Sequence, residues 1–238
     1  MPGCLHRSAD ADLSRQAVAG DDPRGGGKLA EIEIRVTAEA DLVVTSAQFG
    51  QRAVGDQGTH LTRCDLTAPR QAAHRRNVVT LFAPAASHVT AIDSAPETLQ
   101  IARARPGCAG VDFHIGDAYA LPEPPDRFDA AFAGFWYSHV PLARVRAFLQ
   151  GLQARLQPGS RVVLLDNRYV AGSSTAISET DADGNTYQAR PLADGSSHRV
   201  LKNFPVEAQL QAAIEGLGRG GQWRQWPHYW AFEYATRL

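Results

Sequence analysis

Residues 88–118 have the sequence HVTAIDSAPETLQIARARPGCAGVDFHIGDA, and this stretch decides the fold. An apolar run over 89–92 ends in Asp93, a helical segment follows, and a second apolar run over 111–115 leads to Asp117. This order predicts strand, helix and strand. Ligands of parallel α/β sheets bind at the carboxyl ends of the strands, so both aspartates are candidate binding groups.

The helix within this stretch has recognisable start and stop signals. Ser94 is predicted as the N-cap, Pro96 occupies the first turn, and Glu97 completes a Ser-x-x-Glu capping box. The helix is expected to end before Pro106-Gly107.

From residue 78 onward, strand and helix signals alternate with short connections. Residues 78–82 form a short apolar run, strands are predicted over 128–133 and 161–166, and a helix begins at Pro141. This pattern predicts an α/β fold with a three-layer, Rossmann-like and mostly parallel sheet. The aromatic segment 223–234, broken at Pro227, is expected to add antiparallel strands, and 205–217 to form an amphipathic helix.

A polar segment over 168–205 interrupts this alternation. It contains two hairpin-turn signals, at 181–185 and 194–196, and is interpreted as an insertion that covers a cleft. The predicted α/β domain therefore spans 78–238 with this insertion.

Residues 1–77 are predicted to be a poorly structured or atypical N-terminal region. They offer two weak strand-like pieces, at 32–36 and 42–44. The run Gly25-Gly26-Gly27-Lys28 is interpreted as a linker, because Leu29 stands where a phosphate-binding loop needs Ser or Thr.

Composition narrows the classes of partner. With 24 basic and 25 acidic residues the chain has no basic field for nucleic acid or an anionic membrane. It lacks an apolar run of the roughly 18 to 20 residues that a membrane helix needs, and its start lacks a signal-peptide core. Three cysteines without a CxxC pair indicate neither a disulfide framework nor a metal site. We expect a cytoplasmic protein with a small-molecule substrate; the sequence does not define its oligomeric state.

From Thr80 onward the chain resembles class I S-adenosylmethionine-dependent methyltransferases. The resemblance lies in the order and spacing of four segments: HVTAIDSAPETLQIARAR, VDFHIGDAYALP, FDAAFAGFWYSHVP and LQARLQPGSRVVLLDNRY. It implies S-adenosyl-L-methionine as the cofactor.

The resemblance also assigns roles to residues. It implies that Asp93, with Ser94 beside it, binds the ribose hydroxyls, and that Asp117 accepts a hydrogen bond from the adenine amino group. It implies that the Ala118 N–H faces the adenine ring and that Phe135 lies beside the reactive methyl group.

His139 has two open interpretations. As an imidazole that titrates near neutral pH, it is a candidate general base; it is equally a candidate cap for the helix at Pro141. Substrate-site candidates are Trp136, Tyr137, Asp166, Asn167, Arg168 and Tyr169. Lys202 and His228 are weaker candidates, for which surface or packing roles are preferred.

One family feature is missing from its expected place. A glycine-rich turn should follow the first strand, about 15 to 20 residues before Asp93. Residues 71–79 contain no glycine, and Gly50, Gly55 and Gly58 lie farther upstream without a clear preceding strand. The sequence therefore predicts weak or absent cofactor binding.

A hypothesis for this departure is that residues before about 79 are translated out of frame. The bases ACC GGC GGA ACG TGG encode Thr-Gly-Gly-Thr-Trp, and reading one base early gives CAC CGG CGG AAC GTG, which is His-Arg-Arg-Asn-Val. That string is residues 74–78 of this chain.

Two other functions remain open beside methyl transfer. A non-catalytic Rossmann-like binding domain fits the altered N-terminal part. A nicotinamide-dependent oxidoreductase shares the acid at the strand end, but it also needs the glycine turn and a catalytic Tyr/Lys pair.

Overall fold

A computed structural model describes residues 41–46, 86–121, 123, 127–191 and 195–237. The strand-like piece at 32–36, the apolar run at 78–82, the glycine run at 25–27 and the segment 71–79 lie outside these residues.

Within the described residues, the main sheet has seven strands, numbered along the chain and arranged in the order β3-β2-β1-β4-β5-β10-β9. The first five strands in that order pair in parallel, and β10 pairs antiparallel with both β5 and β9. The predicted α/β fold is confirmed. The strands are β1 (Asp41–Ser46), β2 (His88–Asp93), β3 (Val111–Ile115), β4 (Phe128–Gly134), β5 (Leu156–Asn167), β9 (Gly218–Gln225) and β10 (Tyr229–Thr236).

Strand β1 is an interior strand of this sheet, between β2 and β4. The sheet thus takes a strand from the segment before residue 78. The prediction that no clear strand precedes Gly50 is wrong, because β1 ends at Ser46, four positions before that glycine in the sequence.

Helix α1 (Pro96–Arg103) follows β2, but Ser94 does not cap it. Ala95 occupies the N-cap position without a side-chain hydrogen bond, and Oδ1 of Asp93 accepts the Ala95 N–H at 2.8 Å. The predicted capping box is wrong because the Asp93 side chain forms the turn itself, and the chain enters the helix one residue later. Pro96 lies in the first turn as predicted.

The remaining helices pack on one face of the sheet. Helices α2 (Val145–Gln153) and α3 (Glu207–Ala213) contribute Phe148, Leu149 and Leu210, each with no exposed surface. They join Trp230 and Phe232 of β10 in one core. Burial of side chains of this size contributes about 1.5–3 kcal/mol each.

The insertion forms its own antiparallel sheet in the order β6-β7-β8. Its strands are β6 (Ile177–Thr180), β7 (Thr186–Pro191) and β8 (Ser197–Leu201). The hairpin turn predicted at 181–185 connects β6 and β7. The Asn185 side-chain oxygen accepts the Leu142 N–H at 2.8 Å, and the Asn203 N–H donates to the Ser138 carbonyl at 2.7 Å. These bonds join the insertion to the loop after β4.

Candidate active site

The parallel register brings the carboxyl ends of the strands to one edge. Ser46 pairs with Gly134, which pairs with Leu165, and Asp93 pairs with Ile115. The candidate residues after β2, β3, β4 and β5 therefore share this edge, where parallel sheets bind ligands.

Asp93 is a half-buried carboxylate at the end of β2. Burial raises its pKa to about 6, although the hydrogen bond from the Ala95 N–H opposes that rise. Among the residues that the structure describes, no other group donates to this carboxylate. A carboxylate that is partly removed from water and has one hydrogen-bond donor is stabilised when a ligand donates further hydrogen bonds from its hydroxyl groups.

Asp117 follows β3 and is more exposed than Asp93. Its Oδ1 accepts the Tyr119 N–H at 2.9 Å, and the Gly116 N–H donates to the Asp93 carbonyl at 3.1 Å. The latter bond ties the two strand ends together. Ala118 is partly buried against the main core, whereas Ser94 is exposed.

Phe135 has a left-handed backbone, with φ of 58°, which no other non-glycine residue in the described ranges shares. Its N–H donates to the Leu165 carbonyl at 2.7 Å, and its buried ring packs edge-on against Tyr229 at 6.0 Å. Such strain at a non-glycine residue persists where the surroundings fix it, and it is concentrated at functional sites.

The Trp136 and Tyr137 side chains pack against different residues. Trp136 packs edge-on against Tyr119, with ring centroids 5.9 Å apart, and its buried Nε1 finds no hydrogen-bond partner in the part of the chain that the structure describes. Tyr137 is 4% exposed and packs edge-on against Trp230 at 5.8 Å. Burial raises the pKa of Tyr137. The Tyr137 ring therefore belongs to the core beneath the site.

A buried polar network lies behind this loop. Asp166, at the end of β5, is fully buried; its Oδ1 accepts from Nζ of Lys202 at 2.9 Å and its Oδ2 accepts the Ser138 N–H at 2.9 Å. Nζ of Lys202 also donates to Oγ of Ser138 at 2.6 Å and to Oδ1 of Asn167 at 3.4 Å. The ion pair is enclosed and its polar atoms are shared among several partners, as a buried charge requires.

The surface role preferred for Lys202 is wrong, since its side chain is 3% exposed and forms this ion pair. Sequence reasoning did not connect Lys202 with Ser138, because 64 positions separate them and no spacing rule links them. The available signal was Asp166, a charge at the end of an apolar strand, because a buried carboxylate requires a partner.

His139 lies at the end of a short 3-10 turn, Tyr137–His139. Its buried Nε2 has no hydrogen-bond partner among the described residues, and the ring hydrogen-bonds to the Leu201 backbone. Burial lowers the pKa of His139 to about 4; Lys202 and Arg190 lower it as well, and Asp166 opposes them. The ring is therefore neutral at neutral pH. It does not cap the next helical turn, because Asn185 accepts the Leu142 N–H.

Three substrate-site candidates at the end of β5 contact different residues. Asn167 lies beside Lys202, and Tyr169, 39% exposed, packs edge-on against Phe204 at 5.3 Å. Arg168 instead donates to the Trp226 carbonyl at 2.8 Å and so supports the turn between β9 and β10.

Two classes of site receive no support in the described ranges. No group of three or more His, Cys, Asp and Glu side chains there is arranged to hold a metal ion. None of the helices described above combines the length and apolar character that a membrane crossing needs.

Comparison with known proteins gives a family match. Residues 71–159 match the family described as "Methyltransferase domain". The ubiquinone/menaquinone biosynthesis C-methyltransferase UbiE of Methylobacterium nodulans is 36% identical over 147 residues, which are 56% of this chain and 56% of that enzyme. The ubiquinone biosynthesis O-methyltransferase of Xanthomonas euvesicatoria is 32% identical over 136 residues, 56% of this chain and 53% of that enzyme. The chain thus spans little more than half the length of these relatives.

Solved structures share the fold. DhpI in complex with SAH superimposes with a TM-score of 0.57 at 23% identity, over 83% of this chain and 77% of DhpI. The PH0226 protein of Pyrococcus horikoshii gives a TM-score of 0.60 at 10% identity, over 84% of this chain and 82% of that protein. Residues 71–159 thus resemble a methyltransferase domain, and the chain shares its fold with these solved structures.

Proposed function

We propose that this protein transfers a methyl group from S-adenosylmethionine to a small-molecule acceptor. The observation that carries the proposal is Asp93, a half-buried carboxylate with one backbone donor at the carboxyl edge of the sheet. A ribose diol supplies two hydroxyl donors to such a group, and charge-assisted hydrogen bonds of this kind are strong.

The other cofactor contacts follow from the same edge. Asp117, on the neighbouring strand, is placed to accept from the adenine amino group, with the Ala118 N–H beside the ring. Ser94 flanks the ribose. Phe135, held by its bond to Leu165, borders the methyl group. When bound, the cofactor supplies an activated methyl group, and the protein supplies position and a desolvated pocket.

The acceptor is proposed to lie between the loop after β4 and the insertion. Trp136, Asn167 and Tyr169 border this region, with Tyr137 packed beneath it and Arg168 supporting it through the β9–β10 turn. The two enzymes compared above are named for quinone biosynthesis, so quinone precursors are the first compounds to assay as acceptors.

Calorimetric titration of the full chain with S-adenosylmethionine tests the proposal. We expect measurable binding that Asp93→Ala abolishes and that Glu179→Gln, on the outer insertion strand β6, leaves unchanged. The missing glycine turn predicts that the affinity is low. Absence of any binding at millimolar cofactor would refute the proposed function; tight binding would refute only the predicted weakness.

A further inference from the structure

The insertion contributes a charge to the interior of the candidate site. Lys202 follows β8, yet its Nζ reaches the end of β5 and the turn after β4 through Asp166 and Ser138. Lys202 and Asp166 are 3% and 0% exposed, so water screens this ammonium group little.

This ammonium group acts on the residue next to Ser138. Charges of three residues act on His139: those of Lys202 and of Arg190 of β7 are positive, and that of Asp166 of β5 is negative. Burial and the two cations disfavour a positive charge on the imidazole. Its buried Nε2 has no donor among the residues that the structure describes.

We propose that Lys202 is a positioning residue, which holds the turn at Ser138 against Asp166 and keeps His139 available as the proton acceptor of methyl transfer. This inference rests on the proposed function and specifies its substrate class: an acceptor whose oxygen or nitrogen carries a proton.

Methyl transfer forms one bond to the methyl carbon and breaks another. The acceptor oxygen or nitrogen forms a bond to the methyl carbon, and the carbon–sulfur bond breaks with its electron pair left on sulfur. The acceptor proton moves to Nε2 of His139, which becomes an imidazolium. The proton passes to water when the product leaves. The O–H or N–H of the acceptor becomes strongly acidic as its oxygen or nitrogen bonds to the methyl carbon, so a weakly basic imidazole can accept the proton.

NMR titration of the His139 ring in the cofactor-free protein tests the role of Lys202. The chain has eight histidines, so the His139→Gln variant identifies the signal. In Lys202→Met we expect the pKa of His139 to rise by about one unit or more, because a repelling cation is lost and Asp166 is left unpaired. In Asp166→Asn we expect it to fall. Lys202→Arg, which keeps the charge, should leave it near the wild-type value.

Opposite shifts in the two variants are expected, and either variant suffices if the other does not fold. An unchanged His139 pKa in a folded Lys202→Met or Asp166→Asn protein, with native circular dichroism, would overturn the inference. Because this measurement needs no cofactor, its failure is distinct from a failure to bind S-adenosylmethionine, which bears on the proposed function alone.

Discussion

Nζ of Lys202 lies 2.9 Å from Oδ1 of Asp166, and the two side chains expose 3% and 0% of their surface. The pair joins the last strand of the insertion to the end of β5, and Ser138 lies between them through hydrogen bonds to both. This contact makes the insertion part of the site's interior.

Breaking this pair from one side should be costly. We expect Lys202→Met to lower the free energy of unfolding by about 3–5 kcal/mol, because Asp166 is left buried without its counter-ion. Urea denaturation measures the change. The double variant Lys202→Met/Asp166→Leu should recover much of that loss, since it leaves no unpaired charge. The exposed pair between Arg199 and Glu179 is the matched control, and Arg199→Met should change the midpoint far less. Equal shifts of the urea midpoint in Lys202→Met and Arg199→Met would contradict this explanation.

Asp93→Asn should stabilise the cofactor-free protein. The folded-state pKa of Asp93 is about 6 against an ordinary value of 3.8, so the folded protein binds the proton more tightly than the unfolded chain. Its contribution is fully present below about pH 4 and is lost as pH rises through 6. We expect a gain of about 1–2 kcal/mol for Asp93→Asn at pH 7, after allowance for partial solvent access. Thermal unfolding at pH 7 and pH 4 measures it, and the gain should vanish at the lower pH.

Cofactor affinity should also depend on Asp93, but for binding the ionised carboxylate is the favoured form. A ribose diol donates to the ionised carboxylate, so binding of S-adenosylhomocysteine should strengthen as pH rises through about 6. Dissociation constants measured by calorimetry between pH 5 and 8 should show this change in affinity as a step near pH 6. The step should persist in His139→Gln and disappear in Asp93→Asn. A wild-type affinity that is flat across this range would exclude Asp93 as the ribose ligand.

Phe135 allows a direct measurement of backbone strain. Phe135→Ala and Phe135→Gly both remove the ring that packs against Tyr229, but only glycine adopts a φ of 58° without strain. Both variants should be less stable than wild type, and we expect the glycine variant to be the more stable of the two by about 1 kcal/mol. If alanine proves the more stable, the left-handed backbone at this position is not maintained in solution.

The gene sequence around codons 60–85 checks the frame hypothesis. We expect one of the other two reading frames to encode a strand and a glycine-rich turn upstream of Thr80. If neither frame does, the hypothesis is excluded, and the turn must be sought after β1, where Gly50 stands.

Local patterns predicted much of this fold. Apolar runs that end in Asp93 and Asp117 marked β2 and β3, and the helical spacing after Pro141 marked α2. These elements follow from periodicity and turn chemistry, which are properties of neighbouring residues. Strand β1 was the weakest of the predicted strands that the structure describes. Its place between β2 and β4 depends on pairing with distant segments, which periodicity does not report.

The interior of the site was harder to predict for the same reason. A cap for α1 was assigned to Ser94 by a local rule, but Ala95 occupies the N-cap position and its N–H donates to the Asp93 side chain. Lys202 resembles an ordinary surface lysine in a polar segment, and only the docking of β8 beside Ser138 and Asp166 buries it. Burial of a charge is decided by tertiary contacts that one-dimensional patterns do not contain.

The way in which the insertion is attached has a consequence for engineering. Its contacts with the loop after β4 run through Asn185, Lys202 and Asn203 to partners that include Leu142, Ser138 and Asp166. A transplant of this three-stranded sheet into another host would therefore succeed only with both halves of these pairs. Conversely, residues on its outer strand β6, all exposed, can be diversified in a library without disturbing the attachment.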